Sequence, residues 1–288
     1  MSFVLPAGTC LKRALGRGSV FEVALLQRGA ERMVGKRLRS RMIGEKLAEH
    51  AFARECAFLG AVAHRSVPKL IEAGEDGAGP YLLQSWVEGV SLRDWSAERR
   101  SADGRLASQL QFALAKRAFG RLAELHAMQD EAGPLDLIHG DLSPDHIIVG
   151  DDRDVAFIDY GQASGRDMPY PPTVGERGTM PYAAPERLRG EGASQAGDVY
   201  ALAACFAFLA LGEAPCSDAG SDAALLVQLA ENGIGSAAIA AVTTPAAGAD
   251  SPWRRALRVA PEERPNAEQV ALWLEAAQPA LEDPVHSS

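Results

Sequence analysis

Paired cysteines are missing from this chain. Cys10, Cys56, Cys205 and Cys216 are scattered, and none sits in a C-x-x-C pair. That speaks against a zinc knuckle or a disulfide framework and fits a reducing compartment. Long hydrophobic runs are also missing. The longest, Val199–Leu211, is too short for a membrane span and fits a buried helix. The opening MSFVLPAGTC has no basic region before an apolar run, so no signal peptide is expected. Positive charge is in deficit: 29 Lys and Arg stand against 38 Asp and Glu, a net charge of −9. Such a balance argues against non-specific binding of nucleic acid or anionic membrane. A cytoplasmic location is expected, with neither nucleic acid nor membrane as partner. What is present is 47% hydrophobic and 23% charged residues in a chain of 288, enough for a sizeable core and about two folding units. The basic residues concentrate from Arg28 to Lys46, which reads as a solvated face. No internal repeat or low-complexity segment is evident.

The stretch His139 to Gly161, HGDLSPDHIIVGDDRDVAFIDYG, organises the rest. Two apolar runs, Ile147–Val149 and Val155–Ile158, flank a Gly/Asp turn, which predicts a hairpin. Asp141 precedes the first strand and Asp159 comes after the second, so both carboxylates are expected at one end of the hairpin. Paired acids on rigid supports suit general-base and metal-ligand work; turn aspartates that merely cap a hairpin are the plainer alternative. Upstream, Leu11–Leu26 alternates around Gly16-x-Gly18, which predicts strand, glycine turn, strand. Arg32–Leu38 reads as a further strand carrying Lys36. Glu45–Val62 has helical periodicity, with Leu47, Phe52, Phe58 and Leu59 as its apolar positions. Tyr81–Leu92 reads as an apolar strand running into Glu-Gly, and Leu106–His126 as an amphipathic helix. The segment after Gly161 is a Gly/Pro-rich loop without periodicity.

His139-x-Asp141-Leu142, then Asp159-Tyr160-Gly161, resembles the H-R-D-L-x-x-x-N and D-F-G pattern of the protein-kinase superfamily. Gly178-Thr179-x-x-Tyr182-x-Ala184-Pro185-Glu186 resembles the close of a Ser/Thr-kinase activation segment, and is the most specific match in the chain. The resemblance is to bacterial eukaryotic-like Ser/Thr protein kinases and runs from Gly16 to Arg264. It implies an α+β, bilobal protein-kinase-like fold: a small β-rich N-lobe over residues 1–84, a hinge at 85–90, a larger mainly helical C-lobe over 91–276, and a tail at 277–288. It implies ATP in the cleft, with Gly16, Gly18, Val23, Val34, Lys36, Ser85 and Val87 around the nucleotide and Gln84 as gatekeeper. Lys36 would place the phosphates, held by Glu55. Asp141 would orient the substrate hydroxyl and accept its proton. Asp159 would hold Mg²⁺, with Mn²⁺ the substitute. Asp198 would anchor the catalytic loop, and Arg264 would pair with Glu186.

Several positions depart from the family pattern. Phe21 stands where the third glycine of the loop is usual. Gly140 replaces the Arg of H-R-D, which removes the usual partner of a phosphorylated activation segment. Activity without phosphorylation at Ser164, Thr173 or Thr179 is therefore expected. Ser143 replaces a Lys near the γ-phosphate. His146 replaces the second metal-binding Asn, and stands either as a metal ligand better suited to softer ions or as a structural histidine. The resemblance implies a Ser/Thr protein kinase, an ATP-dependent transferase acting on a protein hydroxyl. Separately, the chain shows no sensor domain or membrane anchor, so a signal is expected to reach it through a regulatory partner protein. The alternatives are a pseudokinase scaffold that binds nucleotide with little catalysis, and a small-molecule phosphotransferase.

Overall fold

A computed structural model describes residues 5–17, 20–100, 106–172, 176, 178–217, 219–235, 239 and 252–277. The fold is α+β. A five-stranded antiparallel sheet of order β1-β2-β3-β5-β4 forms the N-terminal lobe, and helices dominate the C-terminal lobe. The strands of the sheet are β1 (Cys10–Arg17), β2 (Phe21–Arg28), β3 (Glu31–Leu38), β4 (Leu70–Asp76) and β5 (Gly79–Ser85). Gly29, at φ 60°, lets β2 turn directly into β3. One small core, Ala24, Leu26, Met33 and Leu83, lies on one face of this sheet.

Helix α1 (Lys46–Ala61) crosses the other face. Glu49 accepts the Gly44 N–H at 2.8 Å ahead of the first turn, an acidic contact that suits a helix N-terminus. Phe58 and Leu59 are buried as the periodicity required, but Leu47 in the first turn is 51% exposed. The expected solvated basic face holds for Arg32, Arg41 and Lys46, which are exposed, but not for Lys36 and Arg37 of the central strand β3, which are buried; Arg37 meets Asp76 through two bonds of 2.7 Å.

After β6 (Val90–Ser91) come α2 (Leu92–Arg99) and α3 (Ser108–His126). Ser91 caps α2 by accepting from Asp94 N. A two-stranded ribbon, β7 (Gln129–Asp130) and β8 (Gly133–Pro134), leads to the hairpin β9 (Ile147–Val149) and β10 (Val155–Phe157), which pair antiparallel as the apolar runs predicted. Arg153, at φ 61°, makes the turn between them. Helices α4 (Pro185–Leu188), α5 (Gln195–Leu211) and α6 (Asp222–Asn232) come next. Ser194 caps α5 on Gly197 N, Gly212 ends it at φ 88°, and every residue from Gly197 to Leu209 is buried. It is the axis of the large core. The helix Ala267–Ala277 packs against α3, with Phe112 and Trp273 ring centroids 6.2 Å apart. Residues 278–288, most of the expected tail, lie outside the described residues.

Candidate active site

The hairpin carries its two acids where the sheet faces the helical lobe. β3 delivers Lys36 and α1 delivers Glu55, whose carboxylate lies 2.6 Å from the ammonium. Asp159, just past β10, approaches the same nitrogen at 3.2 Å. Lys36 is 4% exposed and Glu55 fully buried, while the Asp159 side chain stays 38% accessible and faces the cleft. Burial disfavours the ammonium, but Asp159 and Glu55 outweigh it and raise the Lys36 pKa. Burial likewise pushes the Asp159 carboxyl up, yet Lys36 and His146 hold it well below the usual range. Both groups are charged at neutral pH.

Asp141 sits across from this cluster. Its Oδ1 accepts from Thr179 N at 2.6 Å and Thr179 Oγ1 at 2.8 Å, so the end of the activation segment closes onto the catalytic loop. Burial raises the Asp141 pKa above the usual carboxylate value, opposed by His146 and Thr179, which brings it nearer the range useful to a base. His146 bridges the two acids. Its Nδ1 lies 2.7 Å from the Asp141 carbonyl oxygen, which makes Nδ1 the donor, and its Nε2 is 3.7 Å from Asp159 Oδ2. Burial works against an imidazolium there, but Asp159 and Asp141 raise the His146 pKa overall.

The catalytic loop is fixed from below. Asp198 at the start of α5 accepts from His139 N at 2.7 Å and Gly140 N at 2.9 Å, and also meets His126 Nε2 at 3.1 Å. That is the anchoring the resemblance implied. Glu186 and Arg264 form a two-pronged pair at 2.6 and 2.7 Å. His139 is buried and neutral. Its Nε2 donates to Ile158 O, its Nδ1 accepts from Asp141 N, and burial lowers its pKa to about 4. Gly140 has a reason the sequence did not reveal. Its φ is 76°, and a Cβ there would lie 2.3 Å from Gln162 O, so the backbone itself demands glycine.

Of the remaining predicted residues, Val23 and Val34 lie on neighbouring strands with Lys36: Val23 pairs with Lys36 in register and Val34 with Gln84. Gln84 is 3% exposed. Ser85 ends β5 and donates its N–H to Lys69 O at 2.9 Å. Val87 lies just beyond it, half-buried. Gly16 is exposed near the end of β1, and a Cβ there would meet nothing within 4 Å. Gly18 and Thr173 lie outside the described residues. Ser143 is 1% exposed, and its Oγ has no partner among the described residues.

Sequence reasoning missed three contributors. Tyr160 stacks on Phe58 of α1 at 4.2 Å and meets the tilted ring of His139 at 4.6 Å, a continuous aromatic contact between the lobes. Arg54 and Glu176 form a buried ion pair. Only its adjacency to Glu55 signalled Arg54; Glu176 lies in a loop where periodicity says nothing. Among the described residues no three His, Cys, Asp or Glu side chains converge as a self-sufficient metal cage. The donor set of Asp159 with His146 Nε2 fits a divalent ion bound partly through substrate phosphates. No helix among the described residues is long and apolar enough to cross a membrane.

This geometry agrees with comparisons to known proteins. Serine/threonine-protein kinase PknL of Mycobacterium tuberculosis is 28% identical over 177 residues, covering 61% of this chain and 42% of PknL. PknD of Chlamydia abortus, a serine/threonine-protein kinase, is 26% identical over 215 residues, 66% of this chain and 22% of its own. The probable serine/threonine-protein kinase CE0033 of Corynebacterium efficiens is 28% identical over 229 residues, 75% of this chain and 32% of its own. The chain thus spans less than half the length of each of these relatives. A family model described as the protein kinase domain matches residues 10–272, and the chain belongs to that family.

Proposed function

We propose that this chain is an ATP-dependent Ser/Thr protein kinase that moves the γ-phosphate to a protein hydroxyl. One observation carries the reading: Lys36, Glu55 and Asp159 form one charge cluster, buried at Lys36 and Glu55 and open to the cleft at Asp159, with Asp141 held across the cleft by Thr179. Lys36 places the phosphates, and Glu55 fixes Lys36. Ser85 meets the adenine edge through its carbonyl, since its N–H is engaged by Lys69, and Val87 lies further along residues 85–90, the hinge between the lobes. Asp159 and His146 hold a divalent ion, Mg²⁺ or Mn²⁺, which supplies charge neutralisation on the phosphates. Asp141 orients the substrate hydroxyl and takes its proton, and its raised pKa favours that role. Transfer of this kind depends on positioning and charge more than on covalent chemistry.

The enzyme works in the cytoplasm on a protein substrate, with a partner protein delivering its signal. The test is phosphate transfer from labelled ATP to a generic protein substrate, with Asp141→Asn as the blank. Wild-type transfer above the blank supports the reading; equal counts in both reject it. A second reading, a nucleotide-binding scaffold, draws on Ser143, which is buried where the family places a charged Lys. That protein would bind ATP and still equal its blank.

A further inference from the structure

Arg54 and Glu55 are neighbours on α1 with different tasks. Glu55 reaches Lys36. Arg54, 1% exposed, reaches the activation segment at three points. Its Nε donates to Gly161 O at 2.8 Å, its Nη1 to Tyr170 O at 2.7 Å, and its Nη2 to the Glu176 carboxylate. Arg187 of α4 donates to the Glu176 carbonyl oxygen and, at 3.3 Å, to Gln162 Oε1. Glu176 is itself only 8% exposed. A guanidinium this deep is costly unless it is paired and hydrogen-bonded. Here a carboxylate of the chain meets its charge, and two backbone carbonyls take two more of its donors. Tyr170 is further held by stacking on His50 of α1, with centroids 4.0 Å apart.

We propose that Glu176 is a positioning residue for phosphoryl transfer. Its carboxylate pairs with Arg54, which also holds the Gly161 and Tyr170 carbonyls, and so, through adjacent Glu55, keeps Lys36 in place. This rests on the kinase reading above. A charge built into the sequence does what an added phosphate does in a segment that lacks one, so the lock is closed without modification.

The test compares wild type, Glu176→Ala, Glu176→Gln and Glu176→Asp. Turnover, thermal midpoint and amide hydrogen exchange over residues 161–172 are measured in sodium acetate or in sodium chloride of equal ionic strength. Glu176→Ala and Glu176→Gln should lose about tenfold or more in kcat with a smaller change in the KM for ATP, and exchange in the segment should rise. Acetate returns a carboxylate to the cavity left by Glu176→Ala and should recover both severalfold, while chloride should not. Glu176→Asp should fall between. Wild-type kcat in a folded Glu176→Gln overturns the proposal. So does a loss that neither acetate nor Glu176→Asp relieves, since that marks a merely structural residue. If wild type itself transfers no phosphate, the kinase reading fails and the exchange data alone decide the lock. Exchange raised in Glu176→Ala and lowered again by acetate upholds it, and exchange unchanged by Glu176→Ala overturns it.

Discussion

At the scale of single residues, Lys36 sets the tightest constraint, because its ammonium lies between two carboxylates and is 4% exposed. Removing it strips the buried Glu55 of its partner, which costs on the order of 3 kcal/mol. Lys36→Met is therefore expected to fold with a thermal midpoint several degrees lower, and to lose about a hundredfold or more in transfer. Unchanged turnover in the purified variant would remove Lys36 from the site. His146 makes a subtler case. Its Nδ1 is committed to the Asp141 carbonyl, so only Nε2, facing Asp159, is free to meet a metal. Imidazole suits Mn²⁺ better than Mg²⁺, which prefers oxygen and keeps its waters. His146→Asn should lower the ratio of Mn²⁺ to Mg²⁺ initial rates at saturating ATP without abolishing turnover. The same ratio in both proteins would leave His146 a structural residue.

Elements act through backbone geometry and stacking. The catalytic loop passes under Gln162 so closely that Gly140 has no room for a Cβ, and its φ of 76° is unfavourable for other residues. Restoring the family's usual residue with Gly140→Arg should therefore destabilise the protein by about 2 kcal/mol or more and lower kcat. A variant that melts like wild type and works as fast would contradict this. Between the lobes, Tyr160 links α1 to the catalytic loop through Phe58 and His139. Its hydroxyl is buried without a partner among the described residues. Tyr160→Phe should then be neutral or stabilising in chemical denaturation. Tyr160→Ala should cost about 3–5 kcal/mol and loosen α1 enough to depress transfer. A large loss in Tyr160→Phe would mean that the hydroxyl has a partner after all.

For the whole molecule, the buried neutral His139 links folding to pH. Its pKa falls from 6.5 to about 4 on folding. Between those values the unfolded chain holds the extra proton, so stability declines as pH falls through that window. The full contribution is on the order of 3 kcal/mol, and it vanishes above the unfolded value. Urea midpoints against pH should drop more steeply for wild type than for His139→Gln; parallel curves would show that burial of this imidazole is not the cause. The sequence alone determined the strands around Lys36, the helix bearing Glu55, the hairpin between the two aspartates and the buried helix of α5, because each has local periodicity or turn chemistry of its own. The family pattern added the roles. Tertiary structure alone decided that Leu47 faces outward, that Arg37 is buried against Asp76, that Gly140 is required by Gln162, and that Arg54 closes on Glu176. The last three depend on segments distant in the chain that meet only in the folded molecule, within a lobe for Arg37 and Gly140 and between the lobes for Arg54, and no local pattern of apolar and polar residues records which distant atom will stand opposite.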